Sequence, residues 1–248
     1  MEDTILSVQN LSIDFVSKKS TIPIVRNISF SLQKQKICCL IGESGSGKSM
    51  TVRALINLLP KTMLIREKSQ IEFSVDSVFC IFQDPINSFN PSVRVKKQLF
   101  HMARGYRLIS KKNFEKELTQ ILTRLNFEHP RQAMRKYPFE LSGGMLQRLM
   151  IATAILIKPD LIIADEPTTA LDVTVQKQIL KEFININREL QIAMLFITHD
   201  FGVVAEIADE VLVMNNGEII EHNDVYSIFK NPQNEYTKKL IKASERKL

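Results

Sequence analysis

No apolar run in this chain approaches the roughly 18 residues that a membrane-spanning helix requires, so a transmembrane helix is excluded. The opening residues, Met1-Glu2-Asp3-Thr4, lack the basic region and apolar core of a signal peptide, and residence in the cytosol is therefore expected. Cysteine is scarce, with three among 248 residues. Cys38, Cys39 and Cys80 all fall in apolar, strand-like runs, and the neighbours Cys38 and Cys39 point to opposite faces of a strand. They cannot hold one metal together, and buried thiols are the expected state. There is no heptad array, low-complexity tract or internal repeat. What remains is an ordinary globular composition, 44% hydrophobic and 24% charged. The length fits one large α/β domain or a domain with an inserted lobe. A formal charge of +6 permits attraction to acidic lipid headgroups or nucleic acid, but it is mild.

One stretch organises the rest. Gly42-Glu43-Ser44-Gly45-Ser46-Gly47-Lys48-Ser49 reads G-x-x-x-x-G-K-S, between an apolar run (Ile37 to Ile41) and an amphipathic one (Met50 to Leu59). Strand, glycine-rich loop and helix is the context in which this pattern binds phosphates. Glycines let the backbone curl, so that its N–H groups and the helix N-terminus at Met50 face an anion. Lys48 would then reach the β/γ-phosphates and the Ser49 hydroxyl would meet Mg²⁺. A nucleotide site is expected here.

Residues 5–16 and 24–33 alternate in polarity and predict antiparallel strands with one buried face. Phe15 suits either a core position or a platform for an adenine ring, and the alternation favours the core. After Pro60, short strands are expected over 71–73 and 78–82, the second leading into Gln83-Asp84-Pro85. From Asn90 to about Ile157 the periodicity turns helical (Val93–Arg107, Lys111–Asn126), which predicts a helical lobe. The apolar run Leu161 to Ala164 suits a parallel strand covered on both faces. A helix over Val173–Leu190, a strand over Ile192–Ile197 and a hairpin at Asn215-Asn216-Gly217 follow. Two short helices and a basic tail end the chain.

The strand that ends in Asp165-Glu166 has a direct chemical use beside Lys48 and Ser49. Asp165 can hold Mg²⁺, usually through water, and Glu166 can act as general base toward an attacking water. Gln83 has a side chain suited to bridging metal and water. His199 follows a second buried strand, where an imidazole can donate to a γ-phosphate oxygen. Leu141-Ser142-Gly143-Gly144-Met145 opens another helix with Ser142, Gly143 and Gly144 at its N-terminus. That is a second anion-binding helix start or a simple cap. As an anion site in a chain with one nucleotide loop, it would serve a partner subunit.

Taken together, Gly42–Ser49, Gln83, Leu141–Met145, Leu161–Glu166, Leu171-Asp172 and His199 resemble the ABC-type ATPases, in the order that family uses. The likeness covers residues 5 to about 242. It implies a P-loop NTPase of the ABC type with a RecA-like core, an antiparallel β-subdomain and an inserted helical subdomain. The implied division is a core over 1–89 and 158–230, a helical signature subdomain over 90–157 and a helical tail over 231–248. The same likeness makes Phe15 the adenine-stacking residue. It also makes Asp172 part of the loop at the nucleotide sandwich, with ATP and Mg²⁺ as cofactors. A head-to-tail dimer is implied, each ATP lying between Gly42–Ser49 of one subunit and Ser142–Gly144 of the other. Two departures stand out. Met145 replaces the glutamine usual there, and the segment Pro60–Val78 is short, so a reduced antiparallel sheet is expected.

Gln83-Asp84-Pro85…Ser88-Phe89-Asn90-Pro91, Tyr137-Pro138-Phe139-Glu140 and Tyr236-Thr237-Lys238-Lys239-Leu240 resemble the ATPases of peptide and nickel importers. The run Leu141 to Arg148 is most similar to a nickel-importer ATPase, and no cysteine follows Leu240. Nickel or a metal chelate is thus the expected cargo, with di- or oligopeptides as the alternative. The implied partners are membrane permeases, a second ATPase subunit and an extracytoplasmic solute-binding protein, at the cytoplasmic face of the inner membrane. No nucleic-acid partner is expected. Soluble ABC ATPases that act on nucleic acid usually carry two cassettes or long coiled coils, and this chain has neither.

Overall fold

Alternating apolar residues ask for cover on one face of a strand, and an unbroken apolar run asks for cover on both. In the computed structural model the alternating segments β1 (Thr4–Val16) and β2 (Thr21–Gln33) pair antiparallel. The unbroken run β3 (Ile37–Ile41) is buried at every position and leads through the glycine-rich loop into α1 (Lys48–Leu55). The short strands β4 (Met63–Ile65) and β5 (Gln70–Phe73) precede β6 (Val78–Ile81). A helical stretch follows: α2 (Val95–Tyr106), α3 (Lys111–Arg124), α4 (Pro130–Arg135) and α5 (Gly143–Ile157). The chain then returns through β7 (Leu161–Asp165), α6 (Val173–Leu190), β8 (Ala193–Thr198) and α7 (Phe201–Ile207). It continues as β9 (Glu210–Asn215), β10 (Glu218–Asp224), α8 (Val225–Lys230) and α9 (Glu235–Glu245). The structure describes residues 3–169 and 171–245, so the end of the expected basic tail, 246–248, lies outside the described residues.

The central sheet runs β10-β9-β3-β8-β7-β6, parallel except for the β9–β10 hairpin. Its alternate side chains divide between two cores. Cys39, Ile41, Ala164 and Phe196 join the core shared with α2–α7, while Cys38, Leu40, Ile163 and Leu195 pack toward the antiparallel sheet and α1. Two-sided burial is what makes these strands unbroken apolar runs in the sequence.

Several local details differ from the sequence reading. The helix after the nucleotide loop ends at Leu55, short of Leu59. Asn57 takes a left-handed conformation (φ 56°), and the Leu58 and Asn57 N–H groups donate to Arg53 and Ala54 carbonyls. That is a Schellman stop with Asn in the position glycine usually fills. α5 begins at Gly143, where the Ser142 hydroxyl accepts the Met145 N–H and caps the helix. Pro130 sits in the first turn of α4, where a missing N–H costs nothing. Neither α4 nor α7 stood out in the sequence, and both are too short to show a clear period.

The short segment after Pro60 becomes β4 and β5, which share one edge of β1. β4 pairs with Ile13–Phe15 and β5 with Leu6–Gln9. Between them Arg66 grips the buried Asp14 carboxylate through two bonds of 2.7 and 2.9 Å. At the β9–β10 turn both Asn216 (φ 47°) and Gly217 (φ 85°) have positive φ, as a type I′ turn requires.

Cys38 and Cys39 are buried and Cys80 is half-buried. Burial raises the Cys38 and Cys39 thiols well above their ordinary range and pushes Cys80 up to about 12. At pH 8 an aromatic disulfide reagent should therefore find no fast-reacting thiol in the folded chain. All three should react within seconds in concentrated denaturant, and a fast folded-state phase would contradict the packing.

Candidate nucleotide site

β3 delivers the chain to Gly42, where a Cβ would lie 2.1 Å from the Met214 carbonyl oxygen. Gly47 has φ 111°, and a Cβ there would meet Met214 Cε at 2.7 Å and the Ile24 carbonyl oxygen at 3.2 Å. At these two positions only glycine lets the loop close down on β9 and β2. The Gly217 N–H, at the hairpin tip, donates to the Ser46 carbonyl at 2.9 Å and braces the loop from behind. Ser44 and Gly45 are left exposed, and Ser49 and Met50 open α1 half-buried.

Lys48 is buried, and its Nζ donates to the carbonyls of Gly42 (2.7 Å) and Glu43 (2.8 Å), with Ser46 Oγ at 3.4 Å. Burial lowers its pKa, while the charges of Glu166, Asp165 and Glu43 act in the opposite sense. An ammonium held by carbonyls of its own loop can exchange them for phosphate oxygens at small reorganisation cost.

Parallel strands β6, β7, β8 and β3 are neighbours, so residues that follow their C-terminal ends fall side by side. Gln83 follows β6, Glu166 follows β7 and His199 follows β8. The structure brings all three together. Glu166 Oε2 accepts from Gln83 Nε2 at 3.3 Å and from Thr169 Oγ1 at 3.0 Å, and Glu166 Oε1 lies 3.1 Å from His199 Nδ1. Glu166 takes a left-handed backbone conformation (φ 47°), and its N–H donates to the Ile197 carbonyl at 2.9 Å. Thr169 escaped the sequence reading. Its only signal is a hydroxyl three residues beyond an acidic residue in a turn.

Asp165 is the last residue of β7 and is buried, and among the described residues its Oδ1 has no hydrogen-bond partner. Burial raises its pKa, the Glu166 charge adds to that, and the Ser49 hydroxyl, Lys48 and Arg53 hold it down. A buried, unpartnered carboxylate oxygen beside a serine hydroxyl fits a hard divalent cation such as Mg²⁺. Of the three residues expected at the metal, Ser49 and Asp165 meet that description. The Gln83 amide is instead turned to Glu166.

The Gln83 loop is folded by Asp84, whose Oδ1 accepts the N–H groups of Ile86 (3.0 Å) and Asn87 (3.2 Å). Buried Phe89 pins it to the core. Among the described residues no hydrogen bond joins Ser142, Gly143 or Gly144 to the Gly42–Ser49 loop. Asp172 caps α6, its Oδ1 accepting the Val175 N–H at 3.0 Å. Arg148 ties α5 to the end of α3 through Leu125 and Asn126 carbonyls (3.1 and 3.2 Å) and lies over the Phe127 ring. Burial lowers the Arg148 pKa, and the Asp172 charge offsets this. Phe15 is half-buried on β1 and belongs to neither core.

A raised carboxylate pKa means that the folded state resists ionisation. Stability is then fullest below the unfolded-state value and falls as pH rises through the folded-state value. Asp165→Asn should therefore raise the Tm of the nucleotide-free chain at pH 7.5, by about 2–4 °C for each kcal/mol relieved. It should also remove the Mg²⁺ dependence of nucleotide binding. Thermal unfolding with and without Mg²⁺ and nucleotide checks both.

Residues 25–169 match the family described as ABC transporter. The chain is 42% identical over 260 residues to the glutathione import ATP-binding protein GsiA of Shigella dysenteriae serotype 1 (strain Sd197), and 41% to its namesake in Escherichia coli (strain K12). Each alignment covers 96% of this chain, which spans 42% of the length of those curated relatives. The dimeric ATP-binding cassette MJ0796 in a post-hydrolysis state with ADP and phosphate is similar at TM-score 0.78 and 20% identity, over 89% of this chain and 99% of that one. An ATP binding subunit of an ABC transporter is similar at TM-score 0.79 and 22% identity, over 97% and 99% of the two chains. At such identities the solved structures speak for the fold, and the family follows from the matched residues and the curated relatives. A P-loop on a doubly covered strand, with a carboxylate pair at the end of the next strand but one, thus has its place: the chain belongs to the ABC transporter family, as its ATP-binding cassette.

Proposed function

We propose that this chain is the ATP-hydrolysing, energy-coupling cassette of a bacterial importer of small peptide-like solutes. It works at the cytoplasmic face of the inner membrane with permease subunits, a second cassette and an extracytoplasmic solute-binding protein. Nucleic acid is not among its partners. The observation that carries hydrolysis is the convergence of Gln83, Thr169 and His199 on the Glu166 carboxylate, at the strand ends next to Lys48.

In this reading the backbone of Gly42–Met50 wraps the phosphates, Lys48 exchanges the Gly42 and Glu43 carbonyls for phosphate oxygens, and Phe15 supports the adenine. Asp165 and Ser49 would hold Mg²⁺, which when bound neutralises phosphate charge. Glu166 accepts the proton of the attacking water. Among the described residues Oε1 meets only His199, so it keeps a lone pair with which to accept from the water. The His199 side chain is 54% exposed, and its ring can turn to donate toward the γ-phosphate. The capped turn Ser142-Gly143-Gly144, with Asp172 nearby through Arg148, faces the nucleotide of the second cassette. Residues 1–89 and 158–230 form the nucleotide core, 90–157 the lobe that meets the permease, and 231–248 the tail.

The cargo departs from the nickel expectation. That expectation rested on the run Leu141 to Arg148 and on the lack of cysteine after Leu240, whereas relatives 41–42% identical along nearly the whole chain are glutathione import proteins, which supports the peptide alternative. For the permease, a mostly apolar cleft of about 480 Å³ lies next to the Gln83 loop, lined by Leu58, Phe73, Phe79, Phe82 and Tyr106 among others. Leu58 stands 59% exposed at its rim, an apolar side chain without cover.

Glu166→Gln keeps the shape of the site and removes the base. Its ATP turnover should fall by about a hundredfold or more, with ATP still bound and uptake of labelled glutathione or dipeptide lost. Loss of nickel uptake with peptide uptake intact would return the cargo to the metal. Leu58→Asp should leave ATP binding unchanged and abolish uptake, and full transport by this variant would contradict docking at the cleft.

A further inference from the structure

The run Tyr236-Thr237-Lys238-Lys239-Leu240 lies outside the matched residues 25–169, and nothing in the catalytic reading uses it. It opens α9, which docks on the main core through Tyr236, Leu240 and Ile241, with Thr237 fully buried between them. The turn before the helix is held by Glu221 of β10, whose two carboxylate oxygens accept the N–H groups of Gln233 (2.7 Å) and Asn234 (3.1 Å). The Asn234 side chain in turn accepts the Tyr236 N–H at 2.9 Å. Tyr236 is therefore fixed at both backbone and ring. Its phenol oxygen accepts the Glu43 N–H at 3.2 Å, across 193 positions of sequence.

That N–H belongs to the Gly42–Glu43 peptide, and the other end of the same planar unit is the Gly42 carbonyl on which Lys48 Nζ rests at 2.7 Å. Fixing one end of a planar amide fixes the direction of the other. A second contact from the same part of the chain, Gly217 N–H to the Ser46 carbonyl at 2.9 Å, holds the loop three residues on. The two contacts come from one unit, because Glu221 on the hairpin strand also anchors the turn into α9. The Tyr236 ring shares the field of Glu43, and burial raises the phenol pKa, so the oxygen stays neutral and available as an acceptor at physiological pH.

We propose that Tyr236 is a positioning residue for nucleotide binding: its phenol oxygen sets the Gly42–Glu43 peptide, and through it the seat from which Lys48 reaches the phosphates. This rests on the ATP-site reading above. Tyr236 touches neither the water nor the cleaved bond, so its loss should act on ATP affinity and leave the chemical step alone.

The test is the Tyr236→Phe chain, which keeps the ring and its packing. Kd for a fluorescent ATP analogue, ATP turnover and Tm are measured beside wild type and Tyr226→Phe, an exposed tyrosine on α8 that serves as control. Loss of one neutral hydrogen bond to the loop should weaken nucleotide binding by about fivefold. KM should follow Kd, while kcat stays within about twofold and Tm and the control stay at wild-type values. Unchanged or tighter nucleotide binding by Tyr236→Phe overturns the proposal. So does a fall in Tm with kcat and affinity lost together, which would make Tyr236 a packing residue only. If the wild-type chain itself bound no nucleotide, the ATP-site reading would fail first, and that result is separate from either of these.

Discussion

A lysine charge removed from water has to be met by oxygen, and in this chain the loop's own carbonyls meet it. Everything around Lys48 serves that arrangement. Gly42 turns the carbonyl inward at a spot where no side chain fits against Met214, and Gly47 admits the lysine at the start of α1. Asp165 and Glu166 supply negative charge from the end of β7, the next strand but one, opposing the burial that lowers the lysine pKa. The resting hydrogen bonds hold the ammonium in place without spending the charge on a permanent carboxylate partner. A lysine locked to a buried aspartate would be costly to release, whereas carbonyls give it up readily.

The two adjacent carboxylates sit in different environments. Asp165 is buried with an orphaned oxygen and a raised pKa, which suits the cation-holding role proposed for it. Glu166, one residue on, leaves the strand in a left-handed turn that sends its side chain among three donors from separate strand ends and the following turn. A positive φ outside glycine carries strain, and here it separates two adjacent acids into different environments. Parallel order does the rest, since neighbouring strands end on one side of the sheet and residues far apart in sequence become neighbours.

Much of this was legible from residue order because burial leaves a mark. Doubly covered strands read as unbroken apolar runs, which located β3, β7 and β8 and the chemistry at their ends. The Asn-Gly hairpin and the long amphipathic helix α6 were equally plain, since turn chemistry and period are local. Legibility ended where the decisive partner is remote or the element is short. Three-residue β4 exists because β1 offers it an edge, and α7 spans too few residues to show a period. Thr169 gave no more than a hydroxyl in a turn. The Tyr236 contact to Glu43 depends on how the tail folds back, which no local pattern encodes. The cargo was the least legible of all, because a cassette carries no residue whose chemistry recognises the solute.

The two-sided burial of β3 has a consequence for motion. Its backbone is paired with β8 on one side and β9 on the other, and every side chain is covered. Its amide protons should exchange with solvent only when the whole domain opens, whereas those at exposed Ser44 and Gly45 can exchange through local fluctuation. The gradient from the slowest to the fastest exchange would thus be crossed within a few residues. Such a boundary gives the loop tip freedom to follow an incoming anion while its root transmits almost none of that movement to the sheet, so adaptation at the tip is uncoupled from the stability of the fold.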